Sequence, residues 1–384
     1  MKIALAHKRL DLKGGTERDL FQTAEGLREL GHEVHLFCSE FDIAAPSGVI
    51  SHRVPALALG RSAQLWSSAL ATQKRIKDRR YDAVVSFGRF FAADVVRCGG
   101  GTHRGFLRRM GNEGGALRRL WQTMSVYHRS VLAIEKRQFE SARMKKIIAV
   151  SAGVKRDILA NYAVAPDKIT VLYNGVDSLR RFYPQRHQYR QPVRERWKIP
   201  LEAPVVLFVG SGFRRKGLDR LIPLWASKKL ASCYLLVVGT DARIGSYRAW
   251  ADVVAPGRIV FAGRQDAIEH YYAAADLVAL TSIQEAFGNV VLEALAAGLP
   301  VLVNREVGAA ELLKGALLDG IVDRLDEPRE LEAKLLRMLD KAHDAAVTKE
   351  ARQIGETYSW DEHFRKLEMI LLETCGALTQ ARVS

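Results

Sequence analysis

The sequence predicts an α/β protein of two doubly wound halves, and three observations carry that expectation. Its 384 residues are too many for one ordinary domain and suit two of about 150 to 200 residues each. Short apolar runs alternate with longer amphipathic segments, the pattern of a parallel sheet covered by helices. A strand, a glycine turn and a helix open residues 3–30, and the same succession returns at residues 204–222.

The strand at residues 3–6 is followed by the turn Leu12-Lys13-Gly14-Gly15 and a helix at about 16–30 that Gly31 ends. Adjacent glycines let a backbone approach a phosphate with no Cβ in the way. Residues 34–38 and 81–86 read as further strands, with a polar helix at 63–77 between them. The loop Cys98-Gly99-Gly100-Gly101-Thr102-His103 then sets an imidazole where a strand ends. Residues 115–145 read as one long or broken helix, and strands at 147–151 and 169–173 close the first half. From Arg180 to Lys198 there are seven basic residues, one acid and little apolar periodicity, which marks this stretch as the connection between the halves.

The second half opens with a strand at 204–209 and the loop Gly210-Ser211-Gly212-Phe213-Arg214-Arg215-Lys216-Gly217, where cations stand at the turn. Strands at 234–239 and 259–262, the turn Gly263-Arg264 and a short helix at 266–274 come next. The stretch TSIQEAFGNVVLEALAAGLPVLV, residues 281–303, ends a strand, turns, and runs as a helix until Gly298 and Pro300 stop it. Glu285 then lies in a loop at the carboxyl end of a strand, the N–H groups of Phe287, Gly288 and Asn289 stand at a helix start, and Glu293 lies inside the helix. A helix start attracts anions. Two carboxylates flanking a phosphate-sized hole suit the hydroxyls on either side of a diphosphate, as in a sugar nucleotide. The plainer alternative is a capping acid and a solvated helix residue. A helix beginning at Gly308 and amphipathic helices from about 327 to 376 finish the chain.

Hydrophobic content of 48% is enough for two cores. The four cysteines, Cys38, Cys98, Cys233 and Cys375, show no C-x-x-C spacing, so neither a disulfide framework nor a zinc site is indicated and a reducing cytoplasm is expected. Met1 leads straight into a strand and no apolar run approaches the ~20 residues of a membrane span, so the expectation is a soluble or peripheral protein. The net charge of +15 asks for an anionic partner. Between Arg104 and Lys146 eleven basic residues face three acids, so more than half of that excess is local.

Glu285-x7-Glu293 within EAFGNVVLEALAAGLPV resembles the signature of the retaining glycosyltransferases of family four, whose fold is GT-B: two Rossmann-like domains facing each other across a donor-binding cleft. VGSGFRRKGLDRLI, residues 209–222, and FAGRQDAIEHYYAAADLVAL, residues 261–280, resemble the lipopolysaccharide core heptose I glucosyltransferases more than the family at large. Those enzymes move glucose from UDP-glucose to an inner-core heptose. The NGVD turn at residues 174–177 is another shared feature, whereas the amino half matches mainly at Gly14-Gly15.

The resemblance implies an acceptor domain at 1–180, a nucleotide-sugar domain at 181–357, and a last helix, about 358–384, that packs back on the first. It implies catalytic roles for Arg215, Lys216 and Glu285. Donor contacts fall to Gly14, Gly15, His103, Gly212, Arg264, Ala286, Phe287, Gly288, Asn289 and Glu293. Asp19 becomes a candidate for touching acceptor or hexose, and Arg108, Arg109, Arg118 and Arg119 for meeting an anionic glycolipid acceptor or membrane surface. Chemistry would be front-face substitution with retention, on a UDP-sugar and without a cofactor, at the inner face of a bacterial inner membrane. No Asp-x-Asp occurs in the chain, so the metal clamp of the other main glycosyltransferase fold has no support in the sequence.

Two rivals have other signatures. A same-fold transferase or epimerase would use another nucleotide sugar, which donor-binding assays distinguish. A nucleic-acid-binding protein would exploit the charge, but no such motif appears and aromatics near the basic segment are sparse, so nucleic acid is not expected as a partner.

Overall fold

The structure, a computed structural model, describes residues 1–376 except 13, 78, 92, 111–123, 185 and 284, and does not describe the side chains of 186 and 187. The chain divides into two compact units, one of Met1–Asn174 with the chain from Trp360 onward, the other of Gly175–Ser359.

The first unit is built on a seven-stranded parallel sheet. Its strands are β1 (Lys2–Ala6), β3 (Glu33–Cys38), β5 (Ile50–Arg53), β6 (Ala83–Ser86), β7 (Val95–Cys98), β8 (Lys146–Ala149) and β9 (Ile169–Val171), in the order β5-β3-β1-β6-β7-β8-β9. A small ribbon of β2 (Arg9–Leu10) and β4 (Glu40–Phe41) lies beside it in sequence. Alternate residues of β1 serve opposite faces, as the strand period requires. Ile3 and Leu5 pack with Leu20, Ala24 and Leu27 of the helix Gly15–Glu29, while Ala4 and Ala6 pack with Ala69 and Ile76 of the helix Arg61–Lys77. Burial on both faces explains why β1 reads as an unbroken apolar run. The final helix, Trp360–Thr374, adds Leu367, Ile370 and Leu371 to the first of these cores. It comes so close that a Cβ at Gly26 would stand 2.2 Å from the Phe364 ring.

The second unit holds a six-stranded parallel sheet of β10 (Val205–Val209), β11 (Tyr234–Val238), β12 (Ile259–Gly263), β13 (Leu277–Leu280), β14 (Val301–Asn304) and β15 (Ile321–Val322). Their order is β12-β11-β10-β13-β14-β15, so the winding reverses between β10 and β13. Doubly wound sheets bind ligands in the crevice that such a reversal opens at the strands' carboxyl ends.

Three expectations need correction. The basic stretch after Arg180 is no bare connection: residues Arg186–Arg196 form a helix of the second unit. Two of its arginines, Arg190 and Arg194, point inward. Arg194 is 1% exposed, pairs with Asp276 at 2.8 Å and donates to the carbonyls of Ala274, Pro200, Leu201 and Ala203, while Arg190 reaches the same carboxylate at 3.0 Å. Buried cations thus replace the apolar residues whose absence suggested a linker. Ile50–Arg53, an edge strand with a largely exposed surface, carries no apolar run to announce it. Gly308–Leu312 forms a short 3-10 segment rather than a lasting helix. Of the long helix expected at 115–145, the described part is Val126–Phe139, capped by the Ser125 side chain, and residues 111–123 lie outside the described residues.

Candidate active site

In the second unit the loops after β10 and β13 lie side by side because these strands are neighbours. They are stitched together at three points. Ile283 N–H and the Ser282 hydroxyl both donate to the Arg215 carbonyl at 3.0 Å, and the Thr281 hydroxyl donates to the Gly217 carbonyl at 3.0 Å. Gly217 has φ +86°, and a Cβ there would stand 2.0 Å from the Thr281 carbonyl oxygen, so the approach requires glycine. At the other end of the turn, Asp241 accepts the Phe213 N–H at 2.8 Å.

This stitching aims two cations at one acid. The Lys216 ammonium and the Arg215 guanidinium, the latter at 3.4 Å, both meet Oε2 of Glu285. The Lys216 side chain is only 12% exposed and Arg215 43%, so the lysine is the more desolvated charge and the stronger local electrostatic partner. Glu285 itself is fixed by backbone pairing with Val307, and Gly308 N–H donates to its carbonyl. Gly288, at φ +92°, caps the helix Asn289–Ala296, which starts beside Glu285 and carries Glu293 in its second turn. The Tyr272 hydroxyl donates to Glu293 Oε2 at 2.6 Å. Gly212 and Arg264 are exposed at the ends of the β10 and β12 loops. The structure therefore joins Arg215 and Lys216 to Glu285 beside the winding reversal, and Ala286, Phe287, Gly288, Asn289 and Glu293 follow in the turn and helix that start there.

In the first unit Gly14 and Gly15 open the helix behind β1. His7, just past the end of β1, stands 3.5 Å from Glu17, and its hydrogen bond holds that carboxyl below the usual range. His103 is the first residue of a helical segment at 103–110 rather than a loop residue. Its backbone N–H donates to Glu135 at 2.9 Å and its ring Nε2 meets His128 Nδ1 at 3.0 Å. Burial, then the nearby Arg89 charge and His128, pushes the His103 imidazole down to about 3, so it is neutral at physiological pH. Burial also raises the Glu135 carboxyl, which accepts the Tyr162 hydroxyl at 2.8 Å.

Asp19 is buried beneath the turn that carries Gly14 and Gly15. Its side chain is 3% exposed and forms a 3.0 Å ion pair with buried Arg97, which also donates to Asn174 and to the Leu172 carbonyl. An acid about one helical turn beyond the glycine pair faces inward here, where an arginine on β7 meets it as a counter-charge. Arg108 and Arg109 lie 3.5 and 3.6 Å from Asp157. Arg108 still leaves 55% of its side chain exposed and Arg109 27%. Arg118 and Arg119 lie outside the described residues. Sequence reading missed Tyr272, Asp241, His128 and Asp157, none of which sits in a pattern that marks it.

Comparison with known proteins follows the same division. The family profile of Glycosyltransferase Family 4 matches residues 13–180, and that of Glycosyl transferases group 1 matches residues 190–356, so the two cover both units. The chain belongs to the family-four glycosyltransferases. Among relatives of this family, it is 28% identical over 343 residues to the lipopolysaccharide glucosyltransferase WaaG of Escherichia coli K12, covering 86% of this chain and 87% of that one. It is 29% identical over 170 residues to the lipopolysaccharide core biosynthesis glycosyltransferase LpsE of Rhizobium meliloti, covering 42% of this chain and 49% of that one. The crystal structure of WaaG superposes with a TM-score of 0.80 at 24% identity, over 96% of this chain and 99% of that one. Anabaena HepE, solved in complex with UDP-glucose, superposes at 0.71 and 18% identity over 97% and 100%. The GT-B fold of this family-four hexosyltransferase is thereby established.

Proposed function

We propose that the protein transfers glucose from UDP-glucose to an inner-core heptose of lipopolysaccharide, with retention and without a metal ion. The observation that carries the reading is the convergence of Arg215 and Lys216 on Glu285 beside the helix start at Gly288. The names of the relatives WaaG and LpsE and the UDP-glucose complex of HepE support the donor and acceptor class.

In this reading the two cations hold Glu285 until a donor arrives, then turn to the diphosphate. Glu285 is released to accept hydrogen bonds from hexose hydroxyls, and Glu293 does the same for the ribose. The helix start and the two cations stabilise negative charge as the sugar–phosphate bond breaks. A leaving phosphate oxygen takes the acceptor hydroxyl's proton, so no enzymic base is required on the reacting face. Gly14, Gly15, Gly212 and Arg264 contribute backbone contacts to the donor, and neutral His103 offers a hydrogen bond rather than a charge to the hexose. The first unit serves the acceptor and the second the donor.

The acceptor is an anionic glycolipid, and the first unit carries a surface suited to its membrane. Leu59, Met124 and Val126 are 80%, 70% and 69% exposed, and the Arg61 guanidinium over the Tyr127 ring at 4.0 Å holds the starts of their two helices together. Among the described residues no helix is long and apolar enough to cross a membrane. Peripheral attachment to the inner face of the bacterial inner membrane belongs to this reading, and the exposed apolar residues support it.

The deciding experiment measures UDP release from a panel of UDP-sugars, with and without a heptose-bearing acceptor. Acceptor-dependent release from UDP-glucose above the other donors is expected. Equal rates with another nucleotide sugar, or release that ignores the heptose, would overturn the assignment.

A further inference from the structure

The carboxylate of Glu293 accepts a hydrogen bond from a tyrosine on another helix. Tyr272 lies 21 residues earlier, in the short helix Glu269–Ala274 between β12 and β13. Its residue is 1% exposed, and its hydroxyl donates to Glu293 Oε2 at 2.6 Å, with the Val290 carbonyl at 3.4 Å. A hydroxyl donating to an ionised carboxylate at that length is among the stronger hydrogen bonds a protein makes. The ring cannot swing away, because Phe182 packs edge-on against it with centroids 5.4 Å apart and planes at 86°. Phe182 is in turn buried, and Arg352 donates to its carbonyl at 3.0 Å.

A glutamate's terminal torsion is soft and broad, so a carboxylate on an exposed helix face samples many orientations. A fixed donor on Oε2 removes that freedom and leaves Oε1 with one preferred direction. We infer that Tyr272 is a positioning residue for donor recognition: it pre-orients Glu293 so that the carboxylate meets the ribose hydroxyls of the nucleotide without an ordering cost at binding. The inference rests on the proposed role of Glu293 as the ribose ligand. Tyr272 touches neither sugar nor phosphate, and its effect is confined to the ribose.

That confinement gives the test. Binding of UDP and of 2′,3′-dideoxy-UDP to the full chain is measured by calorimetry for the parent, Tyr272→Phe and Glu293→Gln. Tyr272→Phe is expected to weaken UDP by roughly tenfold and the dideoxy nucleotide by less than about twofold, since one charge-assisted hydrogen bond is lost from the orientation of one ligand group. In the Glu293→Gln background the tyrosine substitution should add little for either nucleotide. A protein merely loosened by the change would lose both nucleotides equally, and any unfolded fraction would lower the stoichiometry without altering the ratio. Equal weakening, or no weakening, of the two nucleotides by Tyr272→Phe overturns the positioning role. If Glu293→Gln itself leaves UDP binding intact, the ribose assignment falls and takes the inference with it. A clear Glu293→Gln effect beside a silent Tyr272→Phe rejects the inference alone.

Discussion

Lys216 and Glu285 stand 69 residues apart in sequence and form an ion pair, because the strands that deliver them are neighbours at the winding reversal of the second sheet. The ammonium is largely buried, so its pairing energy is screened less than that of a surface lysine. Such a pair holds a charge ready for another anion.

The first prediction follows from that readiness. Lys216→Ala should lower kcat for UDP-sugar turnover by on the order of a hundredfold or more, since one lost donor to developing charge costs about 3 to 4 kcal/mol in comparable sites. Lys216→Arg should recover little, because a planar fork does not replace a compact ammonium in a stitched turn. Steady-state UDP release measures both, and an alanine variant with parental turnover removes Lys216 from the chemistry.

The second prediction concerns metal. With Arg215, Lys216 and a helix start at the diphosphate, turnover should persist in EDTA. Loss of activity on chelation, restored by magnesium or manganese, would contradict the proposed mechanism directly.

What could be read from the sequence divides along a physical line. Strands buried on both faces, such as β1 and β10, announce themselves as apolar runs, and Gly298 with Pro300 stops the helix that bears Glu293 where a stop is legible. Glu285 and Glu293 were visible because their spacing within one continuous segment survives folding. The partners of these acids were not. Tyr272 reaches Glu293 from another helix, and Asp241 reaches Phe213 from the far side of β11, so only the fold brings them together. Buried charge is the other blind spot. Arg194 with Asp276, and Arg97 with Asp19, are paired inside, and no sequence pattern marks either pair. The helix Arg186–Arg196 reads as a connection for that reason.

The third prediction uses a buried imidazole in the final helix. His363 is 2% exposed, its Nδ1–H donates to the Tyr173 carbonyl at 2.7 Å, and burial, followed by the Arg97 charge, pushes its pKa down to about 4. The unfolded chain binds the proton at the ordinary value near 6.5, so the neutral form stabilises the folded state fully above about pH 6.5 and that stability is lost as pH falls toward 4. Between pH 7 and pH 5 this group should cost about 2 kcal/mol. Urea unfolding of the parent and His363→Gln at both pH values measures it: the variant should show a shallower loss on acidification. Parallel losses would mean that His363 does not govern the acid response of the first unit.

The last prediction separates two contributions to membrane attachment. The basic residues of the segment from Arg104 to Lys146 offer about 1 kcal/mol each near an anionic surface, and that attraction fades as salt shortens the Debye length. Arg108 keeps most of its side chain in solvent beside Asp157, whereas Arg109 is more enclosed, so their shares will differ. Leu59, Met124 and Val126 act through burial of apolar area, which salt does not screen. Replacing Arg108, Arg109, Arg118 and Arg119 by glutamine should therefore abolish the salt-sensitive part of binding to vesicles rich in anionic lipid. Replacing Leu59, Met124 and Val126 by serine should weaken the binding that remains at high salt. Both variants should keep turnover on a soluble acceptor fragment, because the substituted residues belong to the first unit and the cations proposed to meet the diphosphate belong to the second. Co-sedimentation across a salt series reads the two terms apart. Parental binding by both variants at every salt concentration would show that this face of the first unit does not meet the membrane.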